Sequence, residues 1–354
     1  MENLKINETP VRTSRNFNIN NIKLENVEIP EKIKPFENIL IENENSNIKI
    51  DNKTIKTDLV YGISKQFVEN IKDNANQNIN INVDGNNKKE VKLNFEFNSK
   101  NNELQENIQI NANKNSKATI IIKYISKDSN YNFHNGIIKT NAKSNSDINI
   151  ILINFLNNNS NNFISIENNF EESAKIKYTI IDFGGKNSIT NYYSNLLGEK
   201  SDKEINTIYL GQDGQLFDLN YIAELRGQKS NVNIEVQGAL KDNSKKHFKG
   251  TIDFKKGCKK SKGNENEACM LLSKKAKSIA LPMLLCSEED VEGNHSSSAG
   301  KADEKEVFYI MSRGFSLKDA MKLIVRARFN KIIEEIKNEE IKNEILEEID
   351  KRLD

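Results

Sequence analysis

From Asn78 to Leu285 the chain alternates apolar and polar residues at period two, in bursts such as VKLNFEF (91–97), ATIIIKYI (118–125), DINIILINFL (147–156), AKIKYTIIDF (174–183) and NVNIEVQGAL (231–240). Successive side chains of a strand point to opposite faces, so this period buries one row of Ile, Val, Phe and Tyr and leaves the other row outside; a helix needs a period of 3.6. Asn, Asp, Gly and Ser stand between the bursts as turn residues. The region reads as all β.

Strands at roughly 12 to 20 residue spacing can build a sandwich, a propeller or a solenoid. Two features favour a single-stranded β-helix. Asn is abundant within and between strands, where stacked amides form ladders, and the Ile-rich rows can stack rung on rung. Pro282 is the only proline after Pro35, which suits an uninterrupted array.

The ends differ from the middle. Residues 1 to about 60 hold Pro10, Pro30 and Pro35 in a mixed pattern, the mark of an irregular arm, with a helix expected near Asp58 to Asp73. After Arg313-Gly314, Ser316 is a candidate N-cap with Asp319 three residues on, and Ala320, Leu323, Ile324, Ala327, Ile332 and Ile336 fall near helical spacing. A second helix is expected from about Glu340 to Leu353. The resulting division is 1–75 arm, 76–311 β-helix and 312–354 helical subdomain, with the helices expected to cover the open end of the stack.

Lys and Arg number 52 against 51 Asp and Glu, so no global field gathers nucleic acid or an acidic membrane. No apolar run follows the basic residues of the N-terminus and no window reaches the roughly 20 apolar residues of a membrane span, so a cytoplasmic location is expected. Cys258, Cys269 and Cys286 form no C-x-x-C pair, which argues against a disulfide framework or a zinc site. Cys269 and Cys286 flank apolar runs and read as buried thiols; Cys258, between lysines in KKGCKKSKG, is the more reactive candidate. There is no G-x-x-x-x-G-K-[ST], G-x-S-x-G or H-E-x-x-H, and Asp182-Phe183-Gly184 lacks every other kinase element. The residues support no autonomous enzyme.

Most of the chemical information lies in LPMLLCSEEDVEGNHSSSAGKADEKEVFYIMSRG, from Leu281 to Gly314. It reads as a short apolar strand, the acidic turn Glu288-Glu289-Asp290, His295 in a small-residue loop, a second turn, an aromatic strand at 307–311, and Arg313-Gly314. An imidazole in such a loop is either a metal ligand or proton carrier, or a surface histidine bonded to backbone. His134 and His247 read as turn or strand-edge residues. Arg326 and Arg328, set among Ile324, Val325, Ala327 and Phe329, belong to a helix that packs on the β stack or docks another protein.

The residues from Lys249 to Phe329 resemble the core of the SufB/SufD family of iron–sulfur cluster assembly proteins, SufD more than SufB. The match is carried by FKGTIDF, CMLLSKKA, PMLLCSEEDVEGNHSSSAG and VFYIMSRGFSLKDAMKLIV. The resemblance implies a right-handed parallel β-helix, an N-terminal segment and a C-terminal α-helical subdomain. It further implies a non-catalytic scaffold that pairs with a SufB-like paralogue as a heterodimer, or with itself as a homodimer. A SufC-like ABC ATPase would dock through Arg313, Gly314, Phe315, Ala320, Leu323, Ile324 and Phe329. A transient iron–sulfur cluster would form at the subunit interface, with His295 at the position of the family's SufD histidine; whether a flavin binds is left open.

Three positions depart from the family pattern. Gly293 replaces a cysteine common in SufD, Ser296 replaces glycine or the SufB glutamate, and Glu267 stands at the place of SufB's sulfur-accepting cysteine with Cys269 two residues on. A SufB role therefore lacks both its thiol and its carboxylate. The rival expectations are a polysaccharide-acting β-helix enzyme, which would show clustered carboxylates on one face, and a structural repeat protein, which would not account for the His295 segment.

Overall fold

The computed structural model describes every residue except 1–3, 14–18, 26, 32, 44 and 46, so parts of the expected irregular arm lie outside the described residues. The arm contributes β1 (Leu4–Ile6), β2 (Ile22–Leu24), β3 (Ile39–Glu42), β4 (Ile48–Asp51) and α1 (Lys65–Asn74). The alternating region then forms β5 (Gln77–Val83), β6 (Val91–Phe97), β7 (Glu103–Ala112), β8 (Lys117–Ser126), β9 (Phe133–Ala142) and β10 (Asp147–Phe155). It continues through β11 (Asn161–Phe170), β12 (Lys175–Asp182), β13 (Asn187–Leu196), β14 (Asp202–Gly211) and β15 (Leu216–Leu225). Its last strands are β16 (Asn231–Leu240), β17 (Lys245–Phe254), β18 (Ser261–Leu271), β19 (Lys277–Cys286) and β20 (Val291–Gly300). Three helices close the chain: α2 (Glu304–Ser312), α3 (Leu317–Ile333) and α4 (Glu339–Leu353).

Even-numbered strands from β6 to β20 form one parallel sheet and odd-numbered strands from β5 to β19 the other, with β3 and β4 added antiparallel at the N-terminal edges. From β5 to β20 consecutive strands do not pair with each other; each pairs with the strand one full turn away, as Asp147 does with Lys117 and Lys175. This is a solenoid of about 8 turns, as the alternation predicts, and not a sandwich.

Stacking of like on like builds the core. One inward column on the even sheet runs Val91, Ile120, Ile150, Tyr178, Ile205 and Ile234, all buried. The corners turn on residues with positive φ, among them Asn115, Asn145, Lys200, Lys229 and Lys260, each followed by a buried serine. Ser146 donates to the Lys143 carbonyl at 2.6 Å and Ser201 to the Gly198 carbonyl at 2.7 Å, so the hydroxyls satisfy backbone groups that the turns leave inside. The expected asparagine ladder is present on the odd sheet: Asn111 donates to Asn82, Asn141 to Asn111, Asn169 to Asn141 and Asn195 to Asn169.

The outer faces are covered from two sides. α1, capped by Ser64, buries Phe67 against Phe163, and with Ile6, Ile22 and Leu24 it covers the odd sheet. Asn7 anchors this strap: its Nδ2 donates to Asp218 at 2.5 Å, and the buried Lys249 donates to both Asp218 and the Asn7 carbonyl.

The C-terminal helices correct an expectation. They do not cap the end of the stack. α3 and α4 lie along the flank of the even sheet, where Ile324, Val325, Phe329, Ile345 and Ile349 bury Ile151, Ile181, Phe183 and Ile208. Lys177 pairs with Glu335 at 2.6 Å, Lys92 with Glu340 at 3.3 Å, and Lys123 with Glu344. The reason is the outward row of the even strands: it is apolar from Ile121 to Met270 and needs a cover that the odd sheet obtains from the arm. The stretch 307–311, expected as an aromatic strand, is also helical. Asp303 caps α2 by accepting from the Lys305 N–H, and α2 starts inside the span expected to be β-helix.

Candidate functional site

The C-terminal end of the solenoid is open. β19 and β20 are the terminal strands of their sheets, and β20 is exposed along nearly its whole length. Each offers a row of N–H and C=O groups to which another strand could be added. His295 lies here in the middle of strand β20 rather than in a loop, and is exposed because no further rung covers it.

Register fixes which way His295 faces. It stands opposite Glu265, and Glu265 stands opposite Ile234 in the inward column. Parallel in-register neighbours share a face, so His295 belongs to the inward row at the mouth of the coil. The next inward column ends Val236, Glu267, Ser297. Both columns are mainly apolar for several turns and turn to polar or ionisable residues in the last two rungs.

The floor beneath the mouth holds two glutamates in opposite circumstances. Glu267 is saturated: Lys246 reaches its Oε1 at 2.5 Å, the Tyr209 hydroxyl lies 3.4 Å from the same atom, and the Ser297 hydroxyl donates to Oε2 at 2.8 Å. Lys246 also donates to the Ile279 carbonyl at 3.4 Å, which ties both terminal strands to the penultimate rung. Glu265 is 2% exposed, yet neither of its oxygens has a hydrogen-bond partner among the described residues, nor does the buried Lys203 amine. Burial pushes the Glu265 carboxyl up to about 8, with the Lys203 charge opposing, and burial brings the Lys203 amine down to about 7.

The cysteines reverse the expected order. Cys258 is buried, and desolvation together with Glu288 raises its thiol to about 11; its lysine neighbours do not govern it. Cys269 is buried as expected and its pKa is raised by desolvation. Cys286, expected to be buried, is exposed at the mouth, because it ends the last odd strand with no rung above. His134, expected at a turn or edge, is fully buried inside the coil, its Nδ1 2.6 Å from Asn162 and its Nε2 3.2 Å from Glu106.

The expected docking residues divide. Ala320, Ile324 and Phe329 are buried within the chain, while Arg313, Gly314, Phe315 and Leu323 are exposed. Residues that the sequence reading did not single out extend the exposed set: Phe308 at 74%, Tyr309, Met311 and Leu317. α2 has no buried residue, and beside it a cleft of 430 Å³ opens between Leu272, Val307, Met311, Leu317 and Met321. Contiguous exposed apolar surfaces of this kind occur at protein or membrane interaction sites and at ligand grooves. Its sequence signal is the apolar run VFYIM, which suits a strand or a helix, and the cap at Asp303 is what marks it as a helix.

Among the described residues no group of three or more His, Cys, Asp or Glu is poised around a metal, and no helix is long and apolar enough to cross a membrane. Comparison with known proteins adds the family. Residues 95–328 match the model described as SUF system FeS cluster assembly, SufBD core domain. The chain is 25% identical over 180 residues to the iron–sulfur cluster assembly protein SufD of Bacillus subtilis, covering 51% of this chain and 41% of that protein. It is 24% identical over 238 residues to SufD of Escherichia coli, covering 67% and 56%. Against SufD of Plasmodium berghei it is 24% identical over 352 residues, 92% of this chain and 26% of the relative. The matched part thus spans about half or less of these relatives' length.

Proposed function

The chain belongs to the SufBD core-domain family of SUF iron–sulfur cluster assembly proteins, and on that premise we propose that it is a non-catalytic, SufD-like scaffold subunit. The observation that carries this reading is the uncapped last rung: two long terminal strands, tied down from below by Lys246 and Glu267, with His295 facing inward at the mouth. A SufB-like paralogue, or a second copy, adds its own strands to β19 and β20. The nascent cluster, which is cargo and not a resident cofactor, forms where the two mouths meet, with His295 as a ligand.

A SufC-like ABC ATPase docks on the exposed surface of α2 and the start of α3, through Arg313, Gly314, Phe315 and Leu323, with Phe308 and Leu317 beside them. Ala320, Ile324 and Phe329 support this surface from beneath by fixing α3 to the rod. Because α3 and α4 are held to the even sheet by apolar packing and ion pairs, a displacement imposed by the ATPase is delivered along the whole flank to the mouth.

Deleting residues 315–354 would uncover the apolar flank, so point changes are the better test. A Phe308→Asp/Leu317→Asp chain is expected to fold and lose co-purification of the ATPase, and His295→Ala to keep the ATPase but lower cluster yield. Retention of the ATPase by the first, or unchanged yield in the second, contradicts the corresponding half of the reading.

A further inference from the structure

Glu265 is an anomaly that the scaffold reading leaves unexplained. A buried carboxyl without a partner carries the full penalty of desolvation, and native structures rarely keep one without a use. Its neighbour two residues on shows that this interior can satisfy a glutamate: every oxygen of Glu267 is engaged, and none of Glu265 is.

The position of the carboxyl is set by Gly250. A Cβ placed there would lie 2.1 to 2.4 Å from the Glu265 carboxyl atoms, so the side chain crosses the interior and rests on the glycine backbone of β17. In the last rung, Pro282 stands opposite Gly250 and His295 opposite Glu265. The free carboxyl therefore lies in the penultimate rung, against β17 and one strand spacing beneath the two final strands of the mouth. Neighbouring strands are about 4.8 Å apart, a separation across which an imidazole and a carboxylate can share one ion.

We propose that Glu265 joins His295 as a protein ligand for a divalent iron ion at the open mouth, a carboxylate–imidazole pair whose remaining positions are filled by water or by groups of the partner. This rests on the scaffold reading and names the oxygen donor that it lacks. Ferrous iron accepts mixed imidazole and carboxylate ligation, and an unpartnered carboxyl has no salt bridge or hydrogen bond to give up; on binding it releases only its proton to water. Glu267 stays with Lys246 and serves to hold β20 in register.

Cobalt(II) added to the full chain is the probe, read by calorimetry and by its visible bands. Glu265→Gln and His295→Ala are each expected to weaken cobalt binding at least tenfold. Glu265→Cys is expected to add a cobalt–thiolate charge-transfer band absent from the wild type, which tests the position even if the glutamine variant folds poorly. Cobalt affinity within twofold of wild type in Glu265→Gln, or no new band in Glu265→Cys, overturns the proposal. If His295→Ala weakens cobalt binding and cluster yield while Glu265→Gln changes neither, this inference falls and the scaffold reading stands. If His295→Ala also leaves cluster yield unchanged, the reading of the mouth falls with it.

Discussion

Replacing Lys203 with methionine tests whether the charged floor is held against the stability of the coil. Lys203 is fully buried, its Nζ lies 4.9 Å from the Tyr192 ring centroid, and it has no hydrogen-bond partner among the described residues. Burial moves its titration from the ordinary 10.5 to about 7. At about 1.4 kcal/mol per pH unit, keeping this amine charged inside costs about 5 kcal/mol. The sign follows from proton counting. Below pH 7 folded and unfolded chains both hold the proton and the penalty is complete. Between 7 and 10.5 the unfolded chain holds more protons, so stability rises with pH, and above 10.5 the penalty is gone.

Methionine keeps the length and removes the amine. It gives up the contact with the Tyr192 ring, worth about 1 kcal/mol, while the attraction to Glu265 is already contained in the lowered titration. The net expectation is a gain of about 2–4 kcal/mol at pH 6.5, a rise of a few degrees in Tm. Glu265 supplies a second sign. Its raised carboxyl stabilises the fold at low pH and loses that contribution as pH climbs toward about 8, and without Lys203 its titration moves higher still. The advantage of Lys203→Met should therefore shrink steadily from pH 6.5 to 10, followed by urea or thermal unfolding at each pH. A variant less stable than wild type at pH 6.5 by more than about 1 kcal/mol, or a gap that does not change with pH, would refute the reasoning.

Further outcomes follow from the same geometry. Gly227→Ala places a Cβ 1.9 Å from the Gly198 carbonyl oxygen in the stacked corners and should destabilise by about 2–4 kcal/mol, whereas Gly300→Ala meets nothing within 4 Å and should leave the unfolding midpoint in place. Thiol reagents at pH 8 should modify Cys286 alone in the folded chain; rapid labelling of Cys258 would contradict its burial and raised pKa. Arg352→Ala removes the donor to the Phe183 carbonyl and to Glu348, so α4 should lose about 2–3 kcal/mol of protection in hydrogen exchange while the coil interior keeps its own.

The coil was legible because its rule is local. Alternation at period two, turn residues between bursts and abundant asparagine read correctly from VKLNFEF onward, and the helix starts at Ser316 and Asn338 carry caps that the sequence displays or nearly displays. A further local signal is the Asn-Ser or Lys-Ser pair at 115–116, 145–146, 200–201, 229–230 and 260–261, whose first residue has positive φ and which marks one corner of successive turns. The aromatic run at 307–311 is ambiguous in sequence because a short apolar stretch suits strand or helix alike; the cap at Asp303 and its position beyond the last rung make it helical.

By itself the sequence determined the strand, the coil and the helical tail, since each depends on residues within one turn of chain. Tertiary structure decided which end stays open, that the tail lies along the flank, and that His295, Glu265 and Lys203 share the same interior. Those are properties of residues about thirty positions apart brought into register, and whether an inward side chain is buried or exposed depends on whether another rung follows it. His295 is exposed for that reason alone.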